Sequence, residues 1–164
     1  MLSQSKTEDR STYLILHNIR SVHNVGSIFR TAEAASVDKV FLTGYTALPV
    51  DRFNRFRRDI SKTALGAEKS VPWKGVKNIS TLLGRLSKEG FEIVALEQSG
   101  RSLDYKSYTV KDRTVFIVGN EVNGLSTTTL SKCDTVIEIP MLGEKESLNV
   151  SVACGIMLFR VLDI

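Results

Sequence analysis

The sequence predicts an α/β domain with a mostly parallel sheet flanked by helices. Short apolar runs rich in Val, Ile and Leu recur along the chain, as in strands covered on both faces. They alternate with segments of helical pattern, the order that produces a parallel sheet. Polar loops bearing Gly or Asn follow three of the runs, at the carboxyl ends where open α/β sheets place ligands.

Taken in order, residues 1–11 read as a flexible polar N-terminal segment and 12–164 as a single domain, which suits a chain of 164 residues. Strands are expected at residues 12–16, 39–42, 92–96, 114–118 and 135–139, each bounded by turn residues. Helices are expected at 25–35, 61–66, 76–88, 127–132 and 148–161. Asp59 or Ser61 is expected to cap the second, and Gly90 to stop the third. Trp73, after Pro72, is expected to be a packing anchor. The last helix is apolar on nearly every side, through Leu148, Val150, Val152, Ala153, Ile156, Met157, Leu158 and Phe159. A single core contact needs only a stripe, so this helix is expected to be covered on two sides, one of them by a second subunit.

The formal charge is +4, a mild basic excess that permits an RNA partner without requiring one. Two cysteines, Cys133 and Cys154, have no paired spacing, which argues against a disulfide framework and a thiolate metal site. Cys154 reads as a buried small hydrophobe. No metal is expected, and neither His17 nor His23 has ligand spacing. No apolar run reaches membrane-spanning length and the N-terminus does not read as a secretory signal, so a soluble cytoplasmic protein is expected.

Three loops hold the chemistry. Asn24-Val-Gly-Ser-Ile-Phe-Arg30 opens the first helix, with Gly26 placed for close approach of another backbone and Arg30 one turn beyond it. Gly119-Asn-Glu-Val-Asn-Gly124 follows an apolar strand. Gly119 is expected to let a ligand approach the backbone, and Glu121 is the one acid in an otherwise neutral turn. Ile139-Pro-Met-Leu-Gly-Glu-Lys-Glu-Ser-Leu-Asn149 leads into the last helix, whose free N–H groups face whatever the loop encloses. Ser147 reads as an N-cap or as a residue facing a ligand, and both roles can coexist. A nucleotide-binding Gly-x-Gly-x-x-Gly turn is absent. A separate run, Asp51-Arg-Phe-Asn-Arg-Phe-Arg-Arg58, sets Arg52, Arg55, Arg57 and Arg58 around Phe53 and Phe56. It suits looped RNA, or else a solvated basic face with both rings tucked inward.

In residue type, order and spacing, the three loops resemble the signature motifs of the SpoU (TrmH-like) branch of the SPOUT RNA methyltransferases. The resemblance runs from about Tyr13 to the C-terminus. It implies an α/β fold whose C-terminal third is tied into a deep trefoil knot, a topology that sequence pattern would otherwise reject. It implies a homodimer that methylates the ribose 2′-oxygen of RNA with S-adenosylmethionine, tRNA ahead of rRNA. Arg30, Asn24, Glu121, Ser147 and Asn149 would form the catalytic centre. Leu96, Gly119, Ile139, Met141 and Leu148 would hold the cofactor, and Arg52, Arg55, Arg57 and Arg58 would contact RNA. Arg30 would act as the general base or as a clamp on phosphate and developing alkoxide. The chain begins almost at its first strand, so target choice is expected to rest on the catalytic domain, its basic loop or a partner protein. The rival expectation is a non-catalytic RNA-binding or assembly module on the same fold.

Overall fold

The computed structural model describes residues 10–164. Among these residues, seven strands form one sheet, in the order β3-β2-β1-β6-β4-β7-β5. They are β1 (Ser11–His17), β2 (Lys39–Thr43), β3 (Trp73–Val76), β4 (Glu92–Leu96), β5 (Leu103–Asp104), β6 (Arg113–Val118) and β7 (Thr135–Glu138). Every pairing is parallel. Helices α1 (Val22–Ala34), α2 (Arg58–Ala64), α3 (Ala67–Ser70), α4 (Ile79–Lys88), α5 (Thr127–Leu130) and α6 (Val150–Val161) cover both faces.

The period-two alternation of strand side chains divides the core. Leu14 and Leu16 of β1 and Phe116 and Val118 of β6 face one way, against α1, α2 and α6. Ile15, Val115 and Ile117 face the other, against α4. All seven are buried, so these strands read as continuous apolar runs. Leu16 pairs with both Leu42 and Val118, which brings the carboxyl ends of β1, β2 and β6 to one edge of the sheet.

The expected strands are present, and two more join them. β3 overlaps the expected third helix at Val76, and Trp73 lies in it, half-buried against the core. Asn78 then caps α4, its side chain accepting from Thr81 N, so that helix starts at Ile79. Gly90 ends it in the left-handed region, at φ +84°. β1 begins at Ser11, so the expected N-terminal segment cannot reach that residue; residues 1–9 lie outside the described chain.

The second helix starts earlier than expected, and neither proposed cap acts. Its N-cap is Arg57, with no side-chain cap bond. Asp59 instead accepts from Ile60 N and grips Arg57, while Ser61 donates to buried Glu68 at 2.7 Å. Gly26 lets α1 and α2 touch: a Cβ there would lie 2.4 Å from the Ile60 carbonyl oxygen and 2.0 Å from Thr63 Oγ1. On α6, Cys154, Met157, Leu158 and Val161 are buried, whereas Val152, Ile156 and Phe159 form an exposed stripe at i, i+4, i+7 spacing. The expected cover on a second side is therefore left open by the single chain. No helix among the described residues is long and apolar enough to cross a membrane.

Candidate active site

The loops after β4, β6 and β7 meet at the carboxyl edge of the sheet and enclose a cleft of about 330 Å³, and the loop after β1 joins them through Glu121. Its apolar walls include Leu96 from β4, Val118 from β6, and Ile139, Met141 and Leu148 from the loop leading to α6. Gly119, Glu121 and Ser147 also line it. All five residues expected to hold a cofactor therefore stand on one cleft.

Gly119 serves the loop rather than leaving an open approach. A Cβ there would lie 2.8 Å from the Gly124 carbonyl carbon and 2.8 Å from Leu125 Cγ. The turn folds tightly over the end of β6, and only glycine fits beneath it. Glu97 and Asn120, which sequence reasoning missed, hold that turn. Glu97 Oε2 accepts from Leu125 N at 2.9 Å and sits where a Cβ on Gly124 would be. Asn120 Oδ1 accepts from Val122 N and Asn123 N at 2.9 and 2.8 Å, an Asx turn. Its Nδ2 donates to the Asn18 carbonyl and to Tyr45 Oη. The clue in the sequence was an Asn at the head of a glycine-closed turn. Gln98 Nε2 donates to the Glu146 carbonyl at 2.7 Å and ties the long loop to β4.

A polar relay joins all three loops. The Glu121 carboxylate accepts from Arg20 N and Ser21 N at 3.0 Å each and from Asn24 Nδ2 at 3.1 Å. Partial burial opposes its charge, but these three donors outweigh it and hold the carboxyl below the ordinary range. Ser21 caps α1, its Oγ accepting from Asn24 N, so the helix begins ahead of the expected start. Asn24 Oδ1 accepts from Asn149 Nδ2 at 3.1 Å. Asn149, not Ser147, is the N-cap of α6, and its Oδ1 accepts from Ser151 N and Ser151 Oγ. Ser147 lies in the cleft wall and bonds to none of the described residues.

The structure thus brings together Glu121, Asn24 and Asn149, and places Ser147 with the cofactor-type walls. Arg30 stands apart from the cleft lining, six residues along α1 from Asn24, or about 9 Å by helical rise. It is exposed, and its side chain makes no hydrogen bond or ion pair with any described residue.

The basic run forms the loop between β2 and α2. Arg55 pairs with Asp51 at 2.9 Å and Arg57 with Asp59 at 2.6 Å. Each carboxyl is lowered, Asp51 mainly by the backbone N–H of Arg55 and Asp59 by the Arg57 guanidinium. Arg52 and Arg58 keep uncompensated charge among the described residues. Phe53 and Phe56 are both exposed, which overturns the reading with inward rings. His17 bonds Thr43 Oγ1 at 2.8 Å, and its pKa is lowered by burial. Cys154 is fully buried as expected, its thiol pushed up to about 12 by that burial.

This chain is 34% identical over 158 residues to a Staphylococcus aureus protein assigned by name to the TrmH family of tRNA/rRNA methyltransferases. It is 35% identical over 161 residues to a like-named protein of Staphylococcus saprophyticus. The matches cover 96% and 98% of this chain but only 61% and 62% of those relatives, so it spans about three-fifths of their length. Among solved structures, a TrmH/SpoU tRNA modifying enzyme of A. aeolicus superposes with a TM-score of 0.81 at 29% identity, over 94% of this chain and 75% of that one. An rRNA methyltransferase of Sinorhizobium meliloti, solved with AdoMet bound, gives 0.81 at 28% identity, over 92% and 55%. Residues 11–159 match the model of the SpoU rRNA methylase family, and the chain belongs to that family.

Proposed function

We propose that this protein transfers the methyl group of S-adenosylmethionine to a ribose 2′-oxygen of RNA, with tRNA ahead of rRNA as target. The observation that carries the reading is the Glu121–Asn24–Asn149 relay at the mouth of a cleft walled by Leu96, Ile139, Met141 and Leu148. The cleft suits the cofactor. Its volume is that of a small-molecule site, its walls are apolar enough for a flat purine, and Gln98 and turn backbone supply polar edges.

Bound S-adenosylmethionine would supply an electrophilic methyl on a sulfonium, whose sulfur would keep the C–S bonding pair and leave as a neutral thioether. The chain's residues do the rest. Leu96, Ile139 and Leu148 exclude water from the adenine side. Asn149 and Ser147 border the position where the ribose enters. The Glu121 carboxylate fixes the Asn24 amide, so that face is preorganised rather than ordered on binding. As the new C–O bond forms, the 2′-hydroxyl must release its proton. A guanidinium does not give up its own proton in proteins, so Arg30 serves as a phosphate and alkoxide clamp, and the proton leaves to a phosphate oxygen or water. The remaining elements of the proposal are a cytoplasmic homodimer joined through the Val152–Ile156–Phe159 stripe and a C-terminal third knotted as in the family the motifs resemble. The unpartnered stripe supports the homodimer, and the likeness in fold to the A. aeolicus TrmH/SpoU enzyme supports the knot.

The test is methylation of total RNA by the purified protein, followed by mass mapping of the nucleosides. A 2′-O-methylated nucleoside is expected. Methyl incorporated into a base refutes the ribose assignment. A protein that binds RNA but ignores S-adenosylmethionine in calorimetry is a non-catalytic module.

A further inference from the structure

The β2–α2 loop displays three aromatic rings to solvent. Tyr45 is 60% exposed, Phe53 62% and Phe56 44%. Exposed rings on a mobile loop would signify little, but this loop is braced. Tyr45 N is bonded by Asn18 Oδ1 at 3.1 Å, and its hydroxyl accepts from Asn120 Nδ2 at 2.8 Å. Asn120 spends its other N–H on the Asn18 carbonyl, so the Tyr45 hydroxyl proton remains free to donate outward. At the tip, Asp51 Oδ1 accepts from Phe53 N at 2.8 Å and Arg55 N at 3.1 Å, and Oδ2 from Arg55 Nε at 2.9 Å. The backbone bond from Asp51 N to the Arg55 carbonyl closes the turn.

The charges follow the rings. Arg52 and Arg55 lie 4.8 and 5.0 Å from the Phe53 centroid, and Lys69 lies 5.2 Å from that of Phe56. Two half-buried carboxylates, Asp51 in the loop and Asp59 in the first turn of α2, are paired with Arg55 and Arg57. Those two arginines therefore shape the loop, and net positive charge remains on Arg52, Arg58 and Lys69. The loop leaves the same sheet edge as the cleft. β2 lies two strands from β6, about 10 Å across the sheet.

We propose that Tyr45, Phe53 and Phe56 form a stacking track for unpaired RNA bases, leading single-stranded or looped RNA toward the cleft. Arg52, Arg58 and Lys69 hold the phosphates. Rigid rings beside cations suit unstacked bases, each of which offers a π-face, whereas duplex RNA hides those faces. Charge complementarity favours nucleic acid over a protein partner. The inference rests on the proposed RNA reading, but its test does not depend on methyl transfer.

The test measures binding of a fluorescein-labelled oligouridylate 12-mer and of a 12-base-pair RNA duplex by anisotropy, across a salt series. Wild type should bind the single strand more tightly. Tyr45→Leu, Phe53→Leu and Phe56→Leu should each weaken it by about 5- to 150-fold, with the salt slope unchanged. Arg58→Gln should instead flatten that slope by about 0.7 unit per lost phosphate contact. Phe53→Trp should retain affinity and show indole quenching on binding. Circular dichroism confirms that each variant is folded. The track is overturned if the leucine variants bind as wild type, as rings serving a protein partner would, or if the duplex shows the same losses. Wild type that binds neither RNA refutes the track and the RNA reading together. Intact stacking with no methyl transfer leaves the track standing and refutes only the methyl-transfer reading.

Discussion

Replacing Glu121 by Gln tests whether the relay is held by charge. The shapes match, but an amide nitrogen cannot accept. If it replaces Oε1, the Ser21 N–H and the Asn24 amide lose their acceptor; if it replaces Oε2, Arg20 N–H loses its own. One or two charge-assisted bonds vanish, each worth about 1.5–3 kcal/mol when shielded. The residue is half-buried and water takes up part of the loss, so the expected penalty is about 1–2 kcal/mol. At about 2–4 °C per kcal/mol for a chain of this size, Tm should fall by roughly 2–8 °C. The pH dependence gives a second signature. The folded carboxyl titrates below its ordinary value of 4.5, because its three donors outweigh burial. Its stabilisation is therefore complete above that value and is lost as pH falls through the folded pKa. Urea unfolding of both proteins from about pH 7 down to about pH 3 should show a deficit in Glu121→Gln that is full at neutrality and shrinks in acid. Equal stability at neutral pH, or a deficit constant down to pH 3, would refute the charge-held relay.

Arg30→Ala removes an exposed side chain with no partner, so stability should stay within about 0.5 kcal/mol. Single-turnover methylation should nonetheless fall by about 10²–10³-fold, and Arg30→Lys should rescue it poorly; an unchanged rate removes Arg30 from the reaction. Gly119→Val forces atoms to within 2.8 Å of the Gly124 backbone and Leu125, so it should destabilise by about 1–3 kcal/mol and weaken S-adenosylmethionine binding with it. Calorimetry beside thermal melts checks this, and normal values for both would show that the turn relaxes freely. Val152→Asp with Phe159→Glu charges the exposed stripe of α6 and should convert a dimer to a folded monomer in sedimentation; an unaltered dimer places the interface elsewhere.

The parts of this fold that follow from local pattern were open to sequence reasoning. Strands buried on both faces advertise themselves as apolar runs, and the three motif loops announce themselves by residues too particular for ordinary turns. β3 did not, because Trp73–Val76 is an edge strand with two exposed residues, and only its pairing with β2 makes it a strand. β5 is two residues long and exists by register with β7. The cleft walls were readable one by one. The role of Gly119 was not, since its close neighbour is the chain's own loop rather than a ligand. The pairing of Arg55 and Arg57 with Asp51 and Asp59 was within reach, from opposite charges four and two residues apart. Tyr45 and Asn120 stood 75 residues apart, and nothing local linked them.

Asn24 bonds Glu121 across 97 residues of chain and Asn149 across 125. That connection exists only while α6 is docked on α1. A fluctuation that lifts the last helix parts Asn149 from Asn24 and opens a cleft wall, yet leaves every strand pairing intact. Competence and architecture consequently melt at different points. On gentle warming, activity should disappear while the amides of β1 and β6 still resist exchange, so the lifetime of the site is set by the hold of a single helix.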